Sequence, residues 1–188
     1  MERILNFQHV HLLIQNREFK QANKFLEALL LIEPSESLWY FLKLFIASEN
    51  RRGQEIETWH KKITTLFPGT VEAKIAEALL PGKKISIAIK SLEQALKMDI
   101  YNPYINYLLG NYFRMDGDYL NAIGCYQRCL ALDNEFLLAY PYRMHCFNQI
   151  GDIYSAFRDL KNILDKSLNI NNKILENQMM SNLRQTKK

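Results

Sequence analysis

The residues best equipped for chemistry lie in the last third of the chain. Cys125 and Cys129 are four apart, and His145 and Cys146 follow on the next segment. Four nitrogen and sulfur ligands could hold a zinc ion. The competing reading is stronger: a free cysteine behaves as a small hydrophobe. An odd, small cysteine count also suits reduced thiols. No metal is expected. His9 and His11 are two apart, so on a helix they point to different faces. His60 lies on an apolar stripe, where a hydrogen-bonded core histidine is the expectation. Asp116 and Asp118 flank Gly117, and helix capping explains them better than acid–base chemistry. There is no G-x-S-x-G, no Walker-type glycine loop, no H-E-x-x-H and no dinucleotide fingerprint. The expectation is a non-enzymatic protein without a cofactor.

Composition narrows the class further. The chain has 188 residues, 48% hydrophobic and 23% charged, with a net charge of +4. That suffices for one domain with a core. Lysines and arginines are interspersed with acidic residues, whereas a nucleic-acid binder concentrates its basic residues on one face. Glu2, Arg3, Gln8, His9 and His11 interrupt the first sixteen residues, so no secretory signal is expected. No stretch approaches the roughly eighteen apolar residues of a membrane helix. A cytoplasmic protein without membrane insertion is expected.

The elements that position these residues repeat. Small or apolar anchors recur at Ala22, Ile56, Ala88, Ala122 and Ala156, with steps of 34, 32, 34 and 34 residues. Between anchors the apolar residues recur at helical rather than alternating spacing. Gly117 can end one helix in a left-handed conformation, and Asp118 can cap the next. Gly151 and Asp152 repeat that device, and Pro81-Gly82 makes the turn without the cap. The second unit departs from the pattern, with Ser48 to Gly53, including Arg51 and Arg52, predicted as a longer loop. The first helix has two possible core stripes, Phe7, Val10 and Ile14 or Leu5, Val10 and Leu13.

The segment Pro103 to Phe136 resembles the tetratricopeptide repeat, W-x2-L-G-x2-Y, then A-x3-F, then P, with a period of about 34 residues. Asn106, Leu109, Gly110, Phe113, Ala122, Tyr126 and Asn134 occupy those positions. Asn106 departs from the aromatic start and Asn134 from the closing proline. The next segment continues the register with Tyr140, Phe147, Gly151, Ala156 and Leu160, while Arg143 and Met144 replace the Leu-Gly pair. The resemblance implies an all-α, right-handed helical-hairpin solenoid of about five repeats, near 3–34, 35–68, 69–102, 103–136 and 137–170. Residues 171–188 are predicted as a polar-backed capping helix with a frayed basic tail. Cys129 falls where the family places a small buried residue.

In the resembled family the first helices of the hairpins line a concave groove that holds a protein or peptide. The stripe of Tyr104, Tyr107, Asn111 and Arg114 is implied to face it, with Leu138, Pro141, His145 and Asn148 on the next repeat. Trp39 and Lys43 are implied to do so on the second. Tyr, Trp and Arg commonly dominate interface energetics. The opposing reading is that these aromatics fill gaps between repeats. The Lys/Asn/Arg carboxylate clamp of cochaperone-type repeats is largely missing: Asn111 matches, but Tyr107, Leu138 and Tyr142 stand where cations belong. The implied function is non-catalytic binding of a polypeptide segment, as an adaptor or chaperone, including a bacterial secretion or assembly chaperone. The alternative is a helical-repeat nucleic-acid binder using Arg114 and Lys43 with Tyr104 and Tyr107. Glu77 interrupts the stripe that this alternative needs.

Overall fold

The structure, a computed structural model, describes residues 2–166. Among the described residues lie ten α-helices and no strand: α1 (Glu2–Gln15), α2 (Phe19–Ile32), α3 (Ser37–Glu49), α4 (Gly53–Leu66), α5 (Val71–Leu79), α6 (Ile85–Met98), α7 (Pro103–Met115), α8 (Tyr119–Leu132), α9 (Ala139–Gln149) and α10 (153–166). They pack as consecutive antiparallel hairpins stacked side by side, a helical-hairpin solenoid. The expected capping helix at 171–188 lies outside the described residues.

The hairpin turns follow from backbone hydrogen bonding. In the fourth hairpin the Gly117 N–H donates to the Arg114 carbonyl at 3.2 Å and the Asp118 N–H to the Phe113 carbonyl at 2.9 Å. This is the Schellman pair that satisfies the last carbonyls of a helix. Gly117 sits at φ +82° and Gly151, in the fifth hairpin, at +80°. The first two hairpins make the same two bonds, from Arg17 and Glu18 to Ile14 and Leu13, and from Arg51 and Arg52 to Ser48 and Ala47. There Arg17 (φ 59°) and Arg51 (φ 55°) occupy the left-handed position. The longer loop predicted at Ser48 to Gly53 is therefore corrected. Helix α3 runs to Glu49 and only Asn50 to Arg52 separate it from α4, because an arginine takes the glycine conformation.

Packing within hairpins depends on small residues. Ala22, Ala88 and Ala122 are fully buried, and Ala156 and Ile56 nearly so. A Cβ on Gly110 would lie 2.6–2.9 Å from the Tyr126 ring, so the ring rests directly against the α7 backbone. Helix α7 itself starts on Pro103, and the Asn102 side chain accepts a hydrogen bond from the Tyr104 N–H at 3.1 Å. Helix α1 combines both predicted stripes, burying Val10, Leu13 and Ile14 and leaving Leu5 exposed. His60 is only half-buried. Burial and the Lys83 charge push its imidazole below the usual value, and α4 buries Ile56 and Ile63 instead.

Candidate functional site

The inward helices of this solenoid close on one another. Helix α5 has only nine residues, and Ala73, Ala76 and Ala78 are among those it buries. Across this short, small-residue spacer the rings of α3 reach α7. Phe41 and Phe45 lie 5.4 and 4.8 Å from Tyr104, and Phe45 lies 5.7 Å from Tyr107. Phe136, between α8 and α9, lies 5.0 Å from Tyr104 and 5.1 Å from Tyr107. Helix α1 completes the closure. His11 Nδ1 is 2.8 Å from the Tyr104 hydroxyl, and its Nε2 is 2.9 Å from Asp133. The Gln15 side-chain oxygen accepts from the Leu138 N–H at 3.2 Å.

Several sequence-predicted site residues therefore belong to the interior. Tyr104 and Leu138 are 2% exposed, and Tyr107 and Trp39 are fully buried. Tyr104, Tyr107 and Leu138 pack between repeats because aromatic residues from α1, α3 and the 133–138 segment fill the space that a partner would enter, whereas Trp39, four residues from Lys43, shares the other side of α3. The Trp39 indole N–H donates to Glu33 at 2.8 Å. Lys43 is corrected in direction. Two residues from both Phe41 and Phe45, it emerges on the opposite side of α3, and its ammonium bonds Glu27 at 2.9 Å. Burial raises the Tyr104 and Tyr107 hydroxyls well above the usual value, helped by Asp133 and Glu49 respectively, so both phenols are neutral.

Asn111, Arg114 and His145 remain accessible. The first two join a polar edge around the aromatic cluster. Tyr107 donates to Glu49 at 3.0 Å, and Tyr126 donates to Asn111 at 2.7 Å. The Arg114 guanidinium lies 4.9 Å from the Tyr142 ring centroid, and its Nε is buried with no hydrogen-bond partner among the described residues. Tyr142 in turn stacks with Tyr126 at 19°. Burial pushes the Glu49 carboxyl upward, against the Tyr107 hydrogen bond and the charges of Arg17, Arg114 and Arg51. His145 is exposed and sits apart, its ring edge-on to Tyr119 at 6.2 Å. Glu49, Tyr126 and Tyr142 are not among the predicted site residues. Tyr142 lies one position from the predicted Pro141, and that offset decides which α9 side chain meets α7.

Stacked phenols, an amide and a guanidinium can offer hydrogen bonds to backbone carbonyls or carboxylates. Cys125, Cys129 and Cys146 are free and buried. Burial raises all three thiols, Cys146 to about 11, which disfavours the reactive thiolate. No group of three or more His, Cys, Asp or Glu among the described residues is placed to hold a metal ion.

No family model and no curated protein matches the chain in sequence. Solved structures do match in fold. A chain of the APC/C hetero-tetramer Cut9–Hcn1 superposes with a TM-score of 0.69 at 19% identity, over 81% of this chain and 29% of that one. TTC0263, a thermophilic TPR protein of Thermus thermophilus, gives 0.59 at 14% identity over 93% and 96%. YrrB, described as a TPR protein with an unusual peptide-binding site, gives 0.51 at 14% over 85% and 84%. The fold is that of the tetratricopeptide repeat (TPR) proteins. Likeness at this identity carries the architecture. Within that TPR architecture the concave centre of this chain is occupied by its own aromatic residues. No helix among the described residues is long and apolar enough to cross a membrane.

Proposed function

We propose that this TPR array is a non-catalytic interaction module that holds a segment of another polypeptide along the rim of its concave side. Asn111, Arg114, Tyr142 and His145 would be the contacting residues. The observation that carries this reading is Arg114. Its guanidinium is oriented by Tyr142, yet it forms no ion pair with an acidic residue among the described residues. An oriented, half-exposed arginine beside tyrosines is the composition of an interface anchor. A fold neighbour with a peptide-binding site, YrrB, supports polypeptide as the ligand class. An adaptor or chaperone role, including that of a bacterial secretion or assembly chaperone, is the narrower form of this reading. A cytoplasmic location is part of the same reading. The nucleic-acid alternative loses its stacking platform, because Tyr104 and Tyr107 are buried and Lys43 faces away from them.

The test uses accessible residues. Partner protein recovered by affinity capture from the native source, identified by mass spectrometry and then purified, is titrated calorimetrically. Arg114→Ala with His145→Ala is expected to weaken binding by about 2 kcal/mol, the size of an interface hot spot. Asn121→Ala with Gln127→Ala, on the exposed face of α8, is expected to change it little. The reverse ranking would place the partner on the outer face and reject the site.

A further inference from the structure

A second surface lies on the outer side of the array, between α2 and α4. The two helices stand apart there and leave a cleft of about 980 Å3, at the upper end of the roughly 300–1,000 Å3 of small-ligand pockets. Its floor is Lys43, a cation more than nine-tenths buried. Its rim carries Arg17, Lys20 and Lys24 on one side and Arg52 and Trp59 on the other. In total five cationic side chains face three carboxylates.

Their pairing leaves that imbalance in place. Glu27 is held by Lys43 at 2.9 Å, Glu55 by Arg52 at 2.9 Å, and Glu18 accepts from Gln21 at 2.6 Å. The side chains of Arg17, Lys20 and Lys24 make no hydrogen bond or ion pair among the described residues, and all three are exposed. The unspent charge of the cleft is thus positive. Helices α2 and α4 both begin at this cleft, and their N-caps, Glu18 and Arg52, make no side-chain capping bond. Helix N-termini favour negative charge, so the backbone adds to the field of the cations. Phe19 and Trp59 supply apolar surface. The Trp59 ring is held by the ammonium groups of Lys62 and Lys43, 4.4 and 5.5 Å from its centroid.

We infer that the cleft between α2 and α4 docks an acidic segment of a partner protein, one in which Asp or Glu alternates with apolar side chains. The mixed lining selects this occupant over nucleic acid. A continuous phosphate backbone would run across Glu18, Glu27 and Glu55, whereas a peptide can set its carboxylates against Arg17, Lys20 and Lys24 and an apolar side chain against Trp59. Helix α3 separates the cleft from Arg114, and the two sides meet only at Glu49, on which both Arg17 and Arg114 act.

Intrinsic fluorescence can read the cleft directly, because Trp39 is fully buried and Trp59 is half-exposed. The probe is a synthetic peptide of about twelve residues alternating Glu or Asp with Leu, free of Trp and Tyr, a length sufficient to span helix-scale surface. Its Gln/Asn analogue and an oligothymidylate are the comparison ligands. The acidic peptide is expected to shift the Trp59 emission saturably, and Trp59→Phe should abolish that signal. Lys20→Glu with Lys24→Glu should weaken binding at least tenfold, in keeping with reversal of rim charges, while circular dichroism stays unchanged. Arg114→Ala should leave this binding intact, which separates the result from the concave-side proposal. The inference is overturned if the acidic peptide fails to bind the folded protein. Equal binding of the neutral analogue, insensitivity to the lysine reversals, or tighter binding of the oligothymidylate would overturn it too.

Discussion

The first two hairpins and the last two make the same turn from different residues. All four close with the same pair of backbone hydrogen bonds and place one residue in the left-handed region. In the last two that residue is Gly117 or Gly151, for which the conformation carries no Cβ penalty. The aspartate after it caps the next helix: Asp118 accepts from the Asn121 N–H at 3.1 Å and Asp152 from the Ser155 N–H at 3.0 Å. In the first two the residue is Arg17 or Arg51, at a cost of roughly 1–2 kcal/mol each, and no side-chain cap follows. A capping bond is typically worth about 1 kcal/mol. The N-terminal hairpins thus give up turn and capping stability at positions that carry cations, set between the C-terminus of one helix and the N-terminus of the next. The two ends also differ in their ion pairs. Arg143 grips the fully buried Asp159 with two bonds of 2.8 and 2.6 Å. Lys43 meets Glu27, whose side chain is 68% exposed. The C-terminal end is built for stability and the N-terminal end keeps charge available.

The ion pairs give the largest expected contrast. Asp159→Ala leaves the Arg143 guanidinium without its carboxylate in a buried site and should cost about 3–5 kcal/mol. Lys43→Met, which keeps the packing stem and leaves an exposed glutamate, should stay within about 1 kcal/mol. Denaturant unfolding of both variants measures the difference, and equal losses would erase the distinction between the two ends. The turns come next. Gly117→Arg should destabilise by about 1–2 kcal/mol, whereas Arg17→Gly with Arg51→Gly should stabilise, each by less than about 1 kcal/mol once glycine's extra unfolded-chain entropy is counted. A loss of stability in the double-glycine variant would show that the arginines contribute more through their charge than they cost in conformation.

The smallest effect concerns Glu49, where the two ends meet through Arg17, Arg51 and Arg114. Its folded-state carboxyl is raised, chiefly by burial, above the ordinary 4.5. Its contribution is therefore fully present below pH 4.5 and is lost as the pH rises through the folded-state value. Glu49→Gln keeps an acceptor for the Tyr107 hydroxyl and removes that loss. The two proteins should melt together below pH 4.5, and the variant should melt higher at neutral pH, by no more than about 2–4 °C. A variant that melts lower at neutral pH would show that the three arginines outweigh the burial.

Much of the architecture can be read from residue spacing. The anchors Ala22, Ala88 and Ala122 are buried where the 34-residue register puts them, and Gly110 touches Tyr126 as the need for a small residue implies. Asn102, Pro103, Gly117 and Asp118 act locally, so their types speak for themselves. The turn of the second hairpin escapes such a reading because arginine carries no turn signature. Only the backbone bonds from Arg51 and Arg52 reveal the left-handed position. The exposure of the α7 stripe depends on the distance between α3 and α7. That distance is set by the brevity of α5 and by Phe136 and His11, which come from outside the stripe. A one-dimensional repeat pattern holds no information about such closure. The Arg143–Asp159 pair is half visible in the sequence, as an arginine in a slot where the repeat expects Leu-Gly.

Solenoids ordinarily touch only their sequence neighbours, so their repeats can unravel from either end almost independently. His11 and Gln15 break that rule by bonding Tyr104 and Leu138, 93 and 123 residues away along the chain. These bonds fasten the opening helix to the start of the last hairpin and make a ring of what would be an open stack. The N-terminal hairpins, with their strained turns and uncapped helices, are thereby joined to the tightly packed end. The expected consequence is that they unfold with it as one cooperative unit instead of fraying first, which amide hydrogen exchange would show as similar protection at both ends.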